Sequence, residues 1–139
     1  MRQLIVGVDG SPASIEALRW AAATAKDSRD ILTVVHVRHI PGVWAEYPSV
    51  FRAAGPYLDE LEDQAREASA KVLADAGLPP SFEVRDGDAA AELESAAEEH
   101  HADVIVVSGH GHRGFDRLLL GSVSSRLVHT ACVPVLVVR

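Results

Sequence analysis

A single cysteine, Cys132, excludes an internal disulfide framework. Since it precedes an apolar strand, it is expected to be packed rather than reactive. No apolar run approaches the roughly 20 residues of a membrane span. Positive charge is scarce as well. Thirteen Lys and Arg against 20 Asp and Glu leave a net charge of −7, which argues against general affinity for nucleic acid. There is no internal repeat and no linker. Familiar catalytic loops are missing too. The glycine-rich segment lacks G-x-x-x-x-G-K and so has no P-loop lysine. Gly121-Ser122-Val123-Ser124-Ser125 lacks the last glycine of a G-x-S-x-G nucleophile elbow. His110 and His112 flank Gly111 without a nearby third ligand, so they do not complete a zinc site. The N-terminus, MRQLIVGVDGS, reads as a strand and a turn rather than a signal peptide, and the expected location is the cytoplasm.

Apolar side chains are plentiful. Hydrophobic residues make up 47% of the 139, enough for a real core, and residues 1–139 are expected to form one domain. Charge is unevenly spread. Fourteen of the 20 acids lie between Leu58 and Asp103, beside only Arg66, Lys71 and Arg85. From Gly109 to Arg139 there are four arginines and one acid, Asp116. The glycine-rich loop is therefore the mildly basic part of an acidic chain, although a solvated helix face accounts for most of the acidic block.

Short apolar runs predict strands at Gln3–Val8, Ile31–Val37, Ser81–Arg85, Val104–Ser108 and Val135–Val138. Several are continuous rather than alternating, as in strands buried on both faces of a parallel sheet. Helical patterns separate them. Ser11 can cap a helix with Pro12 at its first position and Ile15, Leu18, Ala22 and Ala25 inward. A second runs from about Pro56 to Ala76, with Leu58, Leu61, Ala65, Ala68 and Val72 on one side, and Gly77 and Pro79 end it. Asp88 can cap a third, with Leu93 and Ala97 inward, and His100-His101 close it, where histidine suits the helix dipole. A fourth starts near Ser122. The order βαβαβαβαβ predicts an α/β domain: an open parallel sheet with right-handed crossovers and helices on both faces. Arg38 to Gly55 reads as irregular, either a lid or binding loop or a surface excursion.

In such sheets ligands bind past the carboxyl ends of the strands, where connections leave toward opposite faces. The first strand ends in Val8-Asp9-Gly10-Ser11 and the fourth in Ser108-Gly109-His110-Gly111. If these strands are neighbours, Asp9 faces the glycine loop. Gly111, Gly114 and Gly121 let the backbone approach phosphate oxygens with no Cβ in the way. The amides of Ser122 and Val123, with the Ser122 hydroxyl, lie at a helix N-terminus and suit a terminal phosphate. Asp9 suits ribose hydroxyls or a metal-bound water, or alternatively only caps its turn. Backbone groups at Val37 are placed to read an adenine edge. Arg113 or Arg117 could touch phosphate, and Arg117 could equally be solvated. Micromolar affinity needs about 8 kcal/mol. One helix terminus supplies up to about 2 kcal/mol, so base, ribose and several amides must act together.

With these residues in view, the chain resembles the universal stress protein family over nearly its whole length. IVGVDGS, VVHV, Gly87 and VIVVSGHG…LLLGSVS…PVLVV carry the resemblance. Its ATP-binding members follow G-x2-G-x9-G-S/T; Gly111, Gly121 and Ser122 fit, while Ser108 stands in place of the first glycine with Gly109 beside it. The resemblance implies a Rossmann-like sheet ordered 3-2-1-4-5, of the adenine nucleotide alpha hydrolase kind, and a homodimer formed near the last strand. It implies ATP with Mg2+ as cofactor, held by Val8, Asp9, Gly10 and Ser11, by Val37, by Ser108, Gly109, His110, Gly111, His112, Arg113 and Gly114, and by Gly121, Ser122, Val123 and Ser124. No catalytic residue and no metal-ligating side chain is assigned. A stress-response regulator that binds ATP, rather than a fast enzyme, is the expected function. The alternatives are a slow ATPase and an interaction module of the same fold that binds no nucleotide.

Overall fold

A computed structural model describes residues 1–40, 46–109 and 121–139. Among these residues, five strands and four helices follow in the order β1 (Gln3–Gly7), α1 (Pro12–Ser28), β2 (Ile31–His39), α2 (Pro48–Ala76), β3 (Glu83–Gly87), α3 (Ala89–Glu99), β4 (Val104–Ser108), α4 (Ser122–Thr130) and β5 (Val135–Val138). All strand pairs are parallel, and the sheet order is β3-β2-β1-β4-β5. The order implied by the family resemblance is the order observed.

Alternation along the central strands feeds two cores. Val6, Val34 and Val106 face α1 and α2, where they pack with Leu18, Ala65 and Leu73. Ile5, Val35, Ile105 and Val107 face the other way and pack with Leu93, Ala97 and Leu127 of α3 and α4. Fully burying a leucine contributes roughly 1.5–3 kcal/mol, whereas an exposed ion pair contributes about 1 kcal/mol or less. The layers are therefore held by these apolar faces. The inward residues expected for α1, Ile15, Leu18, Ala22 and Ala25, are all buried.

Capping follows local chemistry. The Ser11 hydroxyl accepts a hydrogen bond from the Ser14 amide at 3.2 Å, and Pro12 opens α1. The Asp88 carboxylate accepts from the Ala91 amide at 3.0 Å at the start of α3. Gly77, at φ 71°, ends α2.

Four expectations need correction. Strand β2 runs on to His39 and α2 takes in Pro48 to Gly55, so much of the stretch read as irregular, Arg38 to Gly55, is regular structure. The second helix begins at Pro48, with Pro56 inside it, instead of at Pro56. Both prolines suit a first helical position, and the added turns bury none of their residues, so periodicity carried no sign of them. The third strand lies two residues later than predicted and pairs Val35 through His39 with Glu83 through Gly87. At the predicted start, the Ser81 hydroxyl accepts from the Val34 amide at 3.2 Å and replaces a ladder bond. Finally, Cys132 is exposed rather than packed, because it sits in the connection ahead of β5.

Carboxylates close the amino edge of the sheet. Asp30 accepts from the Arg2 amide at 2.8 Å and from its guanidinium at 2.6 and 3.0 Å. Asp103 accepts from the Gln3 amide at 2.8 Å. The Arg2 hydrogen bonds hold the Asp30 carboxyl below its ordinary range. A lowered carboxyl pKa gives stability that is present above the unfolded value and lost as pH falls through the folded one. Asp30→Asn is therefore expected to melt below the wild type at neutral pH. The gap should narrow once pH drops below about 4; a gap that stays constant down to acid unfolding would contradict this role.

Candidate functional site

The chain leaves β1 for α1 on one face of the sheet and leaves β4 for α4 on the other, while β1 and β4 are paired neighbours. A crevice must open above their carboxyl ends. The turn after β1 is built tightly. The Asp9 carboxylate accepts from the Ser11 amide at 2.9 Å, and the Asp9 amide donates to the Ser14 hydroxyl at 3.2 Å. Gly10 has φ +83°, and a Cβ there would lie 3.6 Å from the Ala65 backbone of α2. Conformation, more than space, demands glycine.

At the far side of the crevice the Gly121 amide donates to the Gly109 carbonyl, and the Gly109 amide donates to Val138. The start of α4 is thereby fastened to the end of β4. Gly121 is the N-cap and carries no side-chain cap. The amides of Ser122 and Val123 belong to the first turn and have no acceptor within the helix. Ser124 is 2% exposed, and its hydroxyl donates to the Gly121 carbonyl at 3.1 Å.

The end of β2 completes the rim. His36 is 3% exposed, and its Nδ1 donates to the Val8 carbonyl at 2.9 Å. Its ring stacks on Phe82 at 6.1 Å between centroids. Arg38 sits within 3.5–3.6 Å of Asp59, Glu62 and Asp86. Its Nε makes no hydrogen bond among the described residues, because the nearby Asp86 oxygen stands off at 3.5 Å.

These elements enclose a cavity of about 600 Å³, within the usual size range of small-molecule sites. Asp9 and the β2 residues His36, Val37, Arg38 and His39 line it. Helix α2 adds Tyr57, Leu58 and Leu61; α3 adds Ala89 and Ala90 behind its cap Asp88; α4 adds Ser122, Val123 and Arg126. One space thus joins an apolar wall to the N-terminal turns of two helices.

Of the residues singled out from sequence, Asp9, Val37, Ser122 and Val123 meet on this cavity. Val8, Gly10, Ser11, Ser108, Gly109, Gly121 and Ser124 shape the turns around it without lining it. Ser11 is 2% exposed and engaged as a cap. His110, Gly111, His112, Arg113 and Gly114 lie outside the described residues. Sequence reasoning missed Arg38, Tyr57, Asp88 and Arg126 as lining residues. For Arg126 a signal existed, since it follows Ser122 by four and shares its helix face. Among the described residues, no group of three or more His, Cys, Asp or Glu could hold a metal ion. No helix there is long and apolar enough to cross a membrane.

An open parallel sheet with a cavity above its switch point is a Rossmann-like α/β fold. The sequence model of the universal stress protein family matches residues 1–139, and the chain belongs to that family. It is 30% identical over 139 residues to universal stress protein MJ0531 of Methanocaldococcus jannaschii, covering 99% of this chain and 82% of the relative. It is 37% identical to a universal stress protein of Mycolicibacterium smegmatis, covering 98% of this chain but spanning only 47% of that relative. Among solved structures, the protein MJ0577 superposes with a TM-score of 0.82 at 24% identity, covering 99% of this chain and 94% of that one. A universal stress protein in complex with cAMP gives 0.72 at 24%, covering 99% and 97%. A family member from Arabidopsis thaliana with AMP bound gives 0.69 at 18%, covering 99% and 91%. At these identities the superpositions speak to the fold alone.

The two glycines on either side of the crevice carry opposite expectations. Gly10→Ala should destabilise the protein by about 1–2 kcal/mol, since it forces a side chain into a left-handed backbone. Gly109→Ala should be within about 0.5 kcal/mol of neutral, because its Cβ would meet Val137 and Arg139 at an ordinary 3.5 Å. Equal losses in thermal melts would contradict the reading of the first turn.

Proposed function

We infer that this chain binds an adenine nucleotide, ATP foremost, and works as a regulatory stress-response protein rather than a fast enzyme. The observation that carries the reading is the single cavity that combines Val37, Tyr57, Leu58 and Leu61 with Asp9 and the uncapped first turn of α4. An apolar wall suits a base, an ionised carboxylate suits ribose hydroxyls, and helix amides suit phosphate. The cAMP and AMP complexes of fold relatives support the ligand class. Val8, Gly10, Ser11, Ser108, Gly109, Gly121 and Ser124 set the backbone around the ligand. His110, Gly111, His112, Arg113 and Gly114, outside the described residues, are assigned to the same ligand on their sequence pattern alone.

Mg2+ would arrive on the phosphates, which leaves most of its shell to water and phosphate oxygen; Asp9 is the cavity carboxylate suited to a bound water. Among the described residues strand β5 pairs only with β4, and Val135 through Val138 are half-buried, so its outer edge suits a second copy of the chain. A homodimer acting in the cytoplasm, built from one domain over residues 1–139 and hydrolysing ATP slowly if at all, completes the proposal.

Calorimetry with ATP, ADP, AMP and cyclic AMP, with and without magnesium, tests it. Affinity in the micromolar range is expected for at least ATP. Gly121→Val should abolish binding while the fold is kept, since Gly121 has φ −66° and ψ 166°, a backbone that needs no glycine, and the weaker N-cap costs on the order of 1 kcal/mol. No binding of any adenine nucleotide at millimolar concentration would leave the non-binding interaction module as the better reading.

A further inference from the structure

Two arginines line the cavity among the described residues, and their surroundings differ. Arg38 faces three carboxylates, Asp59, Glu62 and Asp86. A phosphate beside it would meet more negative charge than positive. Among the described residues Arg126 faces one: its Nη1 donates to the Asp88 carboxylate at 2.7 Å. That same oxygen accepts from the Ala91 amide, so it also caps α3. The N-terminal turns of α3 and α4 therefore meet at one guanidinium.

Position on the helix strengthens the case. Arg126 lies four residues after Ser122 and three after Val123, and helical side chains lean toward the N-terminus. Its guanidinium thus belongs to the face that carries the first-turn amides. Both partners are open to water, with side chains 55% and 42% exposed. Exposed pairs are weakly held and can be exchanged. A guanidinium has five donors, and Nη1 is the one bonded to Asp88. A phosphate can use the rest in a fork geometry that a lysine could not offer.

Building on the nucleotide reading above, we propose that Arg126 is the residue by which this cavity distinguishes a phosphorylated ligand from its bare nucleoside, trading Asp88 for phosphate as the ligand seats. Asp88 opposes that exchange. It competes for the guanidinium and repels the incoming anion, so it sets how tightly charged ligands are held. Ligands are selected by their phosphate and not by the base alone.

Calorimetry with adenosine, AMP and ATP on the wild type, Arg126→Gln and Asp88→Asn reads this directly. Arg126→Gln is expected to weaken ATP about tenfold or more, the scale of a lost charge-assisted hydrogen bond. Adenosine affinity should stay unchanged. Asp88→Asn keeps the helix cap and should tighten ATP a few-fold. Thermal melts check folding, and both exposed positions should leave them unmoved. If Arg126→Gln weakens adenosine and ATP alike, or leaves their ratio at the wild-type value, the proposal is wrong while the nucleotide site stands. If the wild type binds none of the three ligands, the nucleotide reading fails first and the proposal falls with it.

Discussion

Leu4, Ile5 and Val6 of β1 pair with Val104, Ile105 and Val106 of β4 in parallel register, and every other feature of the site depends on that pairing. Both strands run the same way, so both end at the same edge of the sheet. Their connections then part to opposite faces, because α1 packs on Val6 and Val106 while α4 packs on Ile105 and Val107. Diverging chains leave a gap that no backbone can fill. The hydrogen bond from the Gly121 amide to the Gly109 carbonyl sets the width of one side of that gap. The Asx turn at Asp9 sets the other.

The two edges of the sheet divide the work. At the amino edge, Asp30 and Asp103 are spent on the amides of Arg2 and Gln3, and they bind neighbouring strands together. At the carboxyl edge the polar groups serve a cavity instead. Asp9 is used by its own turn and still lines that cavity; Asp88 caps α3 and also reaches Arg126. Edge strand β3 is polar, and Arg85 ties it to α3 through Glu92 and Glu99. These carboxylates raise the Arg85 pKa further above its ordinary value.

Much of this was legible in the chain itself. Runs such as Val104–Ser108 and the inward stripe of α1 declared their elements because burial imposes a period, and their bounds agree with the structure. Asp9, Val37, Ser122 and Val123 were legible as a group because the strand order puts the ends of β1, β2 and β4 side by side. What stayed hidden had no periodic signature. The first turns of α2, with Val50 and Phe51 exposed, bury nothing. Tyr57 lies within the predicted helix, but it is exposed and off the inward stripe, so periodicity did not mark it as a lining residue. Strand β3 is half-buried and charged, so the hydroxyl of Ser81 could not be told from a ladder carbonyl by pattern. Asp88 and Arg126 are 38 positions apart, and only the fold brings them within 2.7 Å.

The central claim is that the first-turn amides of α4 act with Asp9 and Val37 on one adenine nucleotide. Backbone amide NMR shifts during an ATP titration test it most directly. The account predicts that Ser122 and Val123 move furthest, with Asp9 and Val37 moving at the same midpoint and the amino edge around Asp30 unmoved. Shifts confined to other surfaces at saturating ATP, with those four amides in place, would contradict it.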